Sequence, residues 1–135
     1  MACLNRITLY VRDVDAVADF YQEHFRHKVV REDNDRLVEL VPADDNGFTL
    51  QLHPLAKGRK AGQSLVKLVF SVHDVEAFCR QSARRGLVFG PIHPYPGYAF
   101  ANAKDPAGNA ISVSSRAYRN ASENGQESLQ PVQDG

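Results

Sequence analysis

The sequence has few of the features that mark disulfide-rich, zinc-binding or membrane-spanning chains. It contains two cysteines, Cys3 and Cys79, among 135 residues, and it has no tryptophan. The cysteines lie far apart and match no metal-ligand spacing, so neither a disulfide framework nor a zinc motif is predicted. No apolar run approaches the ~20 residues of a membrane helix, and the N-terminus lacks the apolar segment of a signal peptide. We therefore expect a cytoplasmic protein that does not enter a membrane.

Net charge and common catalytic motifs are also missing. Sixteen basic and sixteen acidic side chains cancel, so no overall field attracts nucleic acid or an anionic membrane. The chain has no P-loop, no dinucleotide fingerprint and no nucleophile elbow, and no catalytic residue is assigned. What is present is a 43% hydrophobic composition with seven Phe and five Tyr, which is enough for a packed core.

The chain contains an internal repeat. RITLYVRDVDA at residues 6–16 matches KLVFSVHDVEA at residues 67–77, an offset of 61 positions. The same offset places Asp44 and Gly47 of DDNGFTLQL on Asp105 and Gly108 of DPAGNAISV. One offset that serves both ends of each half indicates a duplicated unit, and the alternative is two unrelated strand–helix starts.

Each half is predicted to fold as βαβββ. Alternating apolar residues predict a first strand, and Asp13 or Asp74 then caps a helix with an apolar stripe. Three further strands are predicted in each half: Lys28–Arg31, Arg36–Val41 and Phe48–His53, then Val88–Ile92, Tyr98–Ala103 and Ala110–Ser114, with HPYPG at residues 93–97 as a turn. The modules span about 4–53 and 65–115 within a domain of residues 1–115. Residues 54–64 form the linker, and residues 116–135 are predicted to be a disordered tail.

These features resemble the vicinal oxygen chelate superfamily, which includes glyoxalases, bleomycin-resistance proteins and extradiol dioxygenases. The resemblance rests on the strand ending V-x-D-V in each half, DPAGN at residues 105–109 and DFYQEHF at residues 19–25. It implies an α+β fold in which two tandem βαβββ modules form a curved mixed-sheet cleft. It also implies a homodimer, because short members of the family often complete their half-barrels between chains.

The resemblance locates four metal-ligand positions, which lie seven residues before each capping Asp and four after each turn Gly. In this sequence they hold Arg6, Lys67, Gln51 and Ser112. Arg and Lys carry a positive charge and no free lone pair at neutral pH, so they would repel a divalent ion. No metal and no other cofactor is predicted.

Strand alternation gives the side chains that would line the cleft. They are Arg6, Thr8, Tyr10, Gln51, His53, Lys67 and Ser112, with Tyr98 and Phe100 (and Tyr95 beside them) as stacking surface. Arg6 and Lys67 favour an anionic or carbonyl-rich ligand, and Glu39 is a candidate partner for either cation if it faces inward. His53 can be a ligand, a general base or a polar strand end, and His24 and His27 are best explained as helix surface.

Two functions of different classes follow. The first is a metal-independent protein that binds an aromatic or anionic small molecule, similar to the antibiotic-binding resistance members of the superfamily. The alternative is an enzyme: a glyoxalase-type lyase or isomerase, a dioxygenase with an altered metal site, or a metal-free variant that uses His53 or Tyr10. A third possibility, a standalone regulatory or partner-binding domain, has nothing positive in the sequence to support it.

Overall fold

The computed structural model describes residues 4–44, 46–62 and 65–119. They form two compact units. The first unit contains the described residues up to Leu65 together with Lys104–Asn109, and the second contains Val66–Ala103 and the described residues from Ala110 onward. None of the helices in this part of the chain has the length and apolar character needed to cross a membrane.

The first unit contains one helix and one four-stranded mixed sheet. Its elements are β1 (Arg6–Val11), α1 (Val14–Phe25), β2 (Lys28–Arg31), β3 (Val38–Val41) and β4 (Thr49–Pro54). The strand order is β1-β4-β3-β2, in which β1 and β4 are parallel and the other neighbours are antiparallel. The parallel pair β1 and β4 therefore places residues that are far apart in the sequence side by side.

Helix α1 is capped by an aspartate at its start and ends at a residue in the left-handed conformation. The Asp13 carboxylate accepts a hydrogen bond from the Ala16 N–H at 3.0 Å, which satisfies one unpaired donor of the first turn. Arg26 ends the helix in the left-handed conformation, with φ of 58°. Between them an apolar stripe packs on one side of the sheet. The buried residues of this core include Val11, Val17, Ala18, Tyr21, Val38, Leu40, Leu50 and Leu52.

The second unit repeats this order of elements. It contains β5 (Lys67–Ser71), α2 (Val75–Arg84), β6 (His93–Tyr95), β7 (Tyr98–Lys104) and β8 (Ala110–Ser114), followed by a 3-10 turn at Arg116–Tyr118. The strand order β5-β8-β7-β6 matches that of the first sheet, and Asp74 caps α2 as Asp13 caps α1. The predicted α+β class and the two tandem βαβββ modules are thus confirmed.

One predicted strand of the second half is wrong. Residues 88–92 are irregular, and the strand is His93–Tyr95, inside the segment predicted as a turn. Pro96 and Gly97 instead form a two-residue hairpin turn between Tyr95 and Tyr98, and φ of 84° at Gly97 suits the glycine.

The end of the chain lies partly outside the described residues. Arg116–Tyr118 form a 3-10 turn at the start of the segment predicted as a disordered tail. The prediction for residues 120–135 falls outside the described residues.

The turn before β8 is held by a buried carboxylate. Asp105 is 5% exposed and accepts hydrogen bonds from the Ala107 and Asn109 N–H groups at 2.9 and 2.8 Å. The side-chain amide of Asn109 donates at 3.1 Å, and the buried Tyr21 hydroxyl donates at 2.7 Å. Burial, reinforced by the Asp105 charge, raises the pKa of Tyr21 far above its usual range. The turn is therefore fastened to α1 inside the first unit.

Candidate functional site

One side of the first sheet carries most of the predicted polar residues. The core side of β1 and β4 packs toward α1, so the alternate side chains project from the opposite side. Parallel register places Thr8 beside Gln51 and Tyr10 beside His53. The structure thus brings together five of the predicted cleft residues, including Arg6 at the start of β1.

Four of the side chains on this side form a hydrogen-bonded chain, the polar strip, made of Arg6, Glu39, Gln51 and Thr8. Glu39 Oε2 accepts from Arg6 Nε at 3.2 Å and from Gln51 Nε2 at 3.0 Å. The Thr8 hydroxyl donates to Gln51 Oε1 at 3.0 Å. Hydrogen bonds from Gln51 and then Arg6 lower the pKa of Glu39. The charges of Arg6 and Glu39 therefore balance within the polar strip. Glu39 lies on the same side of the sheet as Arg6.

His53 sits next to the polar strip with a defined tautomer. Its Nδ1 lies 2.8 Å from the Pro54 carbonyl oxygen, which can only accept, so Nδ1 carries the hydrogen. The neutral ring then has its lone pair on Nε2. The Tyr10 ring lies 5.4 Å from the His53 ring between centroids, tilted by 56°. His53 therefore offers one basic nitrogen beside an aromatic ring.

In the second unit the equivalent strands carry a different set of side chains. Lys67 Nζ donates to Asn102 Oδ1 at 3.0 Å and lies 5.7 Å from the centroid of the Phe100 ring. Register pairs Val69 with Ser112. Ser112 is 3% exposed, and its hydroxyl makes only a 3.5 Å contact with the Val113 carbonyl oxygen. Lys67 is thus held between a neutral amide and a ring.

Three rings of β6 and β7 form what we call the aromatic platform: Tyr95, Tyr98 and Phe100. The Tyr95 ring is nearly parallel to the rings of Tyr98 and Phe100, at 13° and 10°, with centroid distances of 5.4 and 5.8 Å. Tyr95 is 52% exposed. Arg116 donates from Nη1 to the Tyr98 hydroxyl at 3.0 Å, and its guanidinium lies 5.1 Å from that ring's centroid. The platform is flanked by Lys67 at one ring and Arg116 at another.

Sequence reasoning missed Arg116 and Asn102, which contact the platform and its cation. Arg116 follows the last predicted strand and was placed in the tail, and no motif singles it out. A signal for the Lys67 contact was present in the repeat. Adding the offset of 61 to residue 39 gives residue 100, so Phe100 is the counterpart of Glu39. In the second half the Phe100 ring therefore stands beside Lys67, where the first half has the Glu39 carboxylate beside Arg6.

The donors do not fit the metal that the resemblance would imply. At the ligand positions Arg6 is bonded to Glu39, Lys67 contacts Asn102 and Phe100, and the Gln51 amide oxygen accepts from Thr8. Within residues 4–44, 46–62 and 65–119 no three His, Cys, Asp or Glu side chains gather in a group that could hold an ion. Cationic side chains at two ligand positions disfavour any divalent ion there.

His24 and His27 lie at the end of α1 and just beyond it. The interpretation of both as helix surface is wrong for His27, which is 6% exposed. Its Nδ1 donates a long 3.4 Å hydrogen bond to the Tyr21 carbonyl oxygen, and burial lowers the pKa of His27. The His27 side chain is therefore a packed part of the first unit.

Known proteins share this architecture. An antibiotic binding protein from Streptomyces sp. CB03234, TnmS3, is 21% identical, with a TM-score of 0.69 over 84% of this chain and 94% of its own. Lactoylglutathione lyase from Agrobacterium tumefaciens is 20% identical, with a TM-score of 0.63 over 84% and 93%. A superfamily member from Sphaerobacter thermophilus DSM 20745 is 23% identical, with a TM-score of 0.67 over 84% and 97%. At these identities the likeness shows the fold.

No curated protein matches the chain. The family model described as "Glyoxalase/Bleomycin resistance protein/Dioxygenase superfamily" matches residues 3–113, which is most of the sequence. This match agrees with the repeat, with the order of strands in both sheets and with the solved structures. The chain belongs to the Glyoxalase/Bleomycin resistance protein/Dioxygenase superfamily.

Proposed function

We propose that this protein binds a planar aromatic anion without a metal ion and without transforming it. The aromatic platform is the observation that carries the proposal. Its rings offer parallel faces, and stacking on such faces contributes roughly 0.5–1.5 kcal/mol beyond the area that is buried. A planar ligand uses this geometry better than a flexible aliphatic one.

The two cations beside the platform supply the preference for negative charge. Lys67 and Arg116 take part in none of the ion pairs among the residues that the structure describes. Their contacts there are a neutral amide, a phenol and two rings. Each therefore keeps a positive charge that an anionic group of the ligand can pair with.

The residue types at the ligand positions support metal independence. Arg6 and Lys67 occupy positions where metal-dependent relatives place neutral or anionic donors, and the Gln51 oxygen already accepts a hydrogen bond. TnmS3, whose fold this chain shares, is an antibiotic binding protein. That description supports sequestration of a small molecule as the role of this chain as well.

The proposal includes a homodimer in the cytoplasm. Within its own sheet each of β1 and β5 pairs with one neighbour, so each is an end strand of its sheet. Open edges are usually covered, and a second copy of the chain is the partner that the family resemblance implies. Sedimentation equilibrium of the full chain tests this part, and a monomer at all concentrations would contradict it.

Calorimetric titration with naphthalene carboxylate tests the binding proposal. We expect Phe100→Ala to weaken binding about tenfold, or ~1.4 kcal/mol, because it removes one ring and the contact of Lys67 with it. Phe48→Ala is the matched control, since Phe48 is an exposed ring of the first unit. Neutral naphthalenemethanol and non-planar cyclohexane carboxylate should both bind more weakly. Equal loss in both variants, or no preference among the three compounds, would refute the proposal.

A second candidate, a metal-free enzyme that uses His53 as a base, is favoured by one observation. The hydrogen bond to Pro54 leaves the His53 lone pair on Nε2, where it can accept a proton. Turnover of the hemithioacetal of methylglyoxal and glutathione that disappears in His53→Gln would establish this candidate. We expect no turnover in either protein.

A further inference from the structure

A second site lies in the first unit, beneath the segment that follows β4. Residues 55–62, which we call the strap, were predicted to be only a linker. The Leu55 N–H donates to the Val11 carbonyl oxygen at 2.9 Å, and Arg12 Nη2 donates to the Arg59 carbonyl oxygen at 2.8 Å. The strap is therefore attached to the end of β1 at two points.

The far end of the strap is fixed by a close approach of backbone. Gly62 has φ of 71°, and a Cβ built on it would lie 2.9 Å from the Ala107 carbonyl oxygen and 3.1 Å from that of Gly108. Only glycine fits such a contact without displacing a neighbour. The strap therefore rests against the turn that Asp105 holds in place, and both of its ends are anchored.

A pocket of about 580 Å³ lies between the strap, β1 and this turn. Its volume falls within the ~300–1,000 Å³ range of small-molecule sites. It is lined by polar and cationic side chains together with three aliphatic ones and a glycine: Thr8, Leu9, Tyr10, Leu55, Ala56, Arg59, Lys60, Gly62 and Asn109. All of these residues belong to the first unit.

The charge of the pocket has one sign. Arg59 and Lys60 line it, whereas no Asp or Glu does. Neither cation takes part in an ion pair among the residues that the structure describes. The nearby Asp105 carboxylate is buried, is directed toward donors of its own turn and of Tyr21, and does not line the pocket. Thr8, Tyr10 and Asn109 add uncharged polar groups to the lining.

We propose that the strap pocket binds a small molecule that carries a phosphate or carboxylate group, held by Arg59 and Lys60. The backbone of the strap is anchored at both ends, so pairing with an anion orders the exposed Arg59 and Lys60 side chains without having to order the segment that carries them. Tyr10 adds a hydroxyl that can bond one of the anion's remaining oxygens. This site is separate from the aromatic platform and does not depend on the function proposed for it.

Titration calorimetry of the full chain with inorganic pyrophosphate and with citrate tests the inference. We expect at least one to bind, and Arg59→Gln with Lys60→Gln to weaken it about tenfold, or ~1.4 kcal/mol. Tighter binding of pyrophosphate identifies a phosphate site, and tighter binding of citrate identifies a carboxylate site. Lys57→Gln is the matched control, because Lys57 is an exposed cation of the strap that does not line the pocket.

Three outcomes would overturn the inference. The first is no binding of either anion. The second is equal weakening by Lys57→Gln, which would indicate diffuse attraction to a basic surface. The third is full affinity in Gly62→Ala that remains folded, because the added Cβ must displace the wall of the pocket. Saturating pyrophosphate should leave naphthalene carboxylate binding unchanged, so the two proposals fail separately.

Discussion

The two halves of the chain carry side chains of different chemistry at equivalent backbone positions. In the first unit Arg6 pairs with Glu39, and in the second the equivalent Lys67 lies over the equivalent Phe100. A carboxylate neutralises the first cation, whereas a ring leaves the second charged. Duplication fixed where these side chains stand, and their identities decide which half can attract an anion.

The turns before the last strands differ in a similar way. Asp44 and Asp105 are equivalent, and each accepts a hydrogen bond from the backbone N–H two residues later. Asp44 is exposed, whereas Asp105 is buried and also holds Tyr21 and Asn109. One aspartate shapes a loop, and the other fastens the turn to the core and to the strap.

The largest expected effect is on the free energy of unfolding, and it should differ between substitutions of Asp105 and of Asp44. Asp105→Ala leaves buried donors without an acceptor and should lower the free energy of unfolding by about 3 kcal/mol or more. Asp44→Ala should change it by less than about 0.5 kcal/mol, because water replaces the lost acceptor. Urea unfolding followed by circular dichroism measures both. Similar losses in the two variants would contradict the role assigned to Asp105.

The next effect comes from making the second half resemble the first. Phe100→Glu should place a carboxylate beside Lys67 and weaken naphthalene carboxylate binding about thirtyfold, or ~2 kcal/mol, through lost stacking and like-charge repulsion. Phe100→Leu, which removes the ring without adding charge, should cost less. Calorimetric affinities give the ranking, and equal affinities for the two variants would show that charge at this position does not matter.

Substitution of the cations Lys67 and Arg6 should change the ligand affinity by smaller amounts, which should differ from each other. Lys67→Gln should weaken naphthalene carboxylate binding about fivefold, or ~1 kcal/mol, because it removes a charge that no carboxylate neutralises. Arg6→Gln should cost less than that, because Glu39 already pairs with the guanidinium. A larger loss from Arg6→Gln would mean that the polar strip, and not the platform, receives the anion.

The smallest effect is the pH dependence that comes from Glu39, because its counterpart Phe100 has no group that titrates. The pKa of Glu39 is lowered in the folded state, so its contribution to stability is present above the unfolded pKa and is lost as the pH falls through the lowered value. Because the pair is largely solvated, we expect ~0.5 kcal/mol at most. Wild type and Glu39→Gln should differ in unfolding free energy near pH 6 and converge as the pH falls below the lowered pKa of Glu39. A difference that grows in acid would mean that the folded protein raises this pKa instead.

The sequence was sufficient wherever periodicity and the repeat acted together. The offset of 61 positions led to β1 and β5, to both capping aspartates and to the placement of β4 and β8, because each rests on local pattern. Strand alternation also placed Arg6, Thr8 and Gln51 on one side, where they meet through Glu39. Local rules fix which side of a strand a residue occupies.

The sequence was insufficient where contacts between distant segments decide the outcome. The apolar residues 88–92 favoured a strand, but the Pro96–Gly97 turn pairs Tyr95 with Tyr98 and so places the strand at His93–Tyr95. Arg116 reaches Tyr98 only because the chain turns back after β8. The strap depends on the close approach of Gly62 to Ala107, which no local pattern records. These are the contacts that build the platform and the strap pocket.

The aromatic platform should bind an aromatic anion without a metal ion. The most direct test is the affinity of the full chain for naphthalene carboxylate in a chelator, compared with the affinity after addition of Mn, Fe(II), Ni or Zn. We predict equal affinities and no rise in melting temperature with any metal. A bound metal should add ~2.7 kcal/mol of stability at a hundredfold excess over its dissociation constant. Stoichiometric metal binding, with ligand affinity lost in chelator, would contradict the claim.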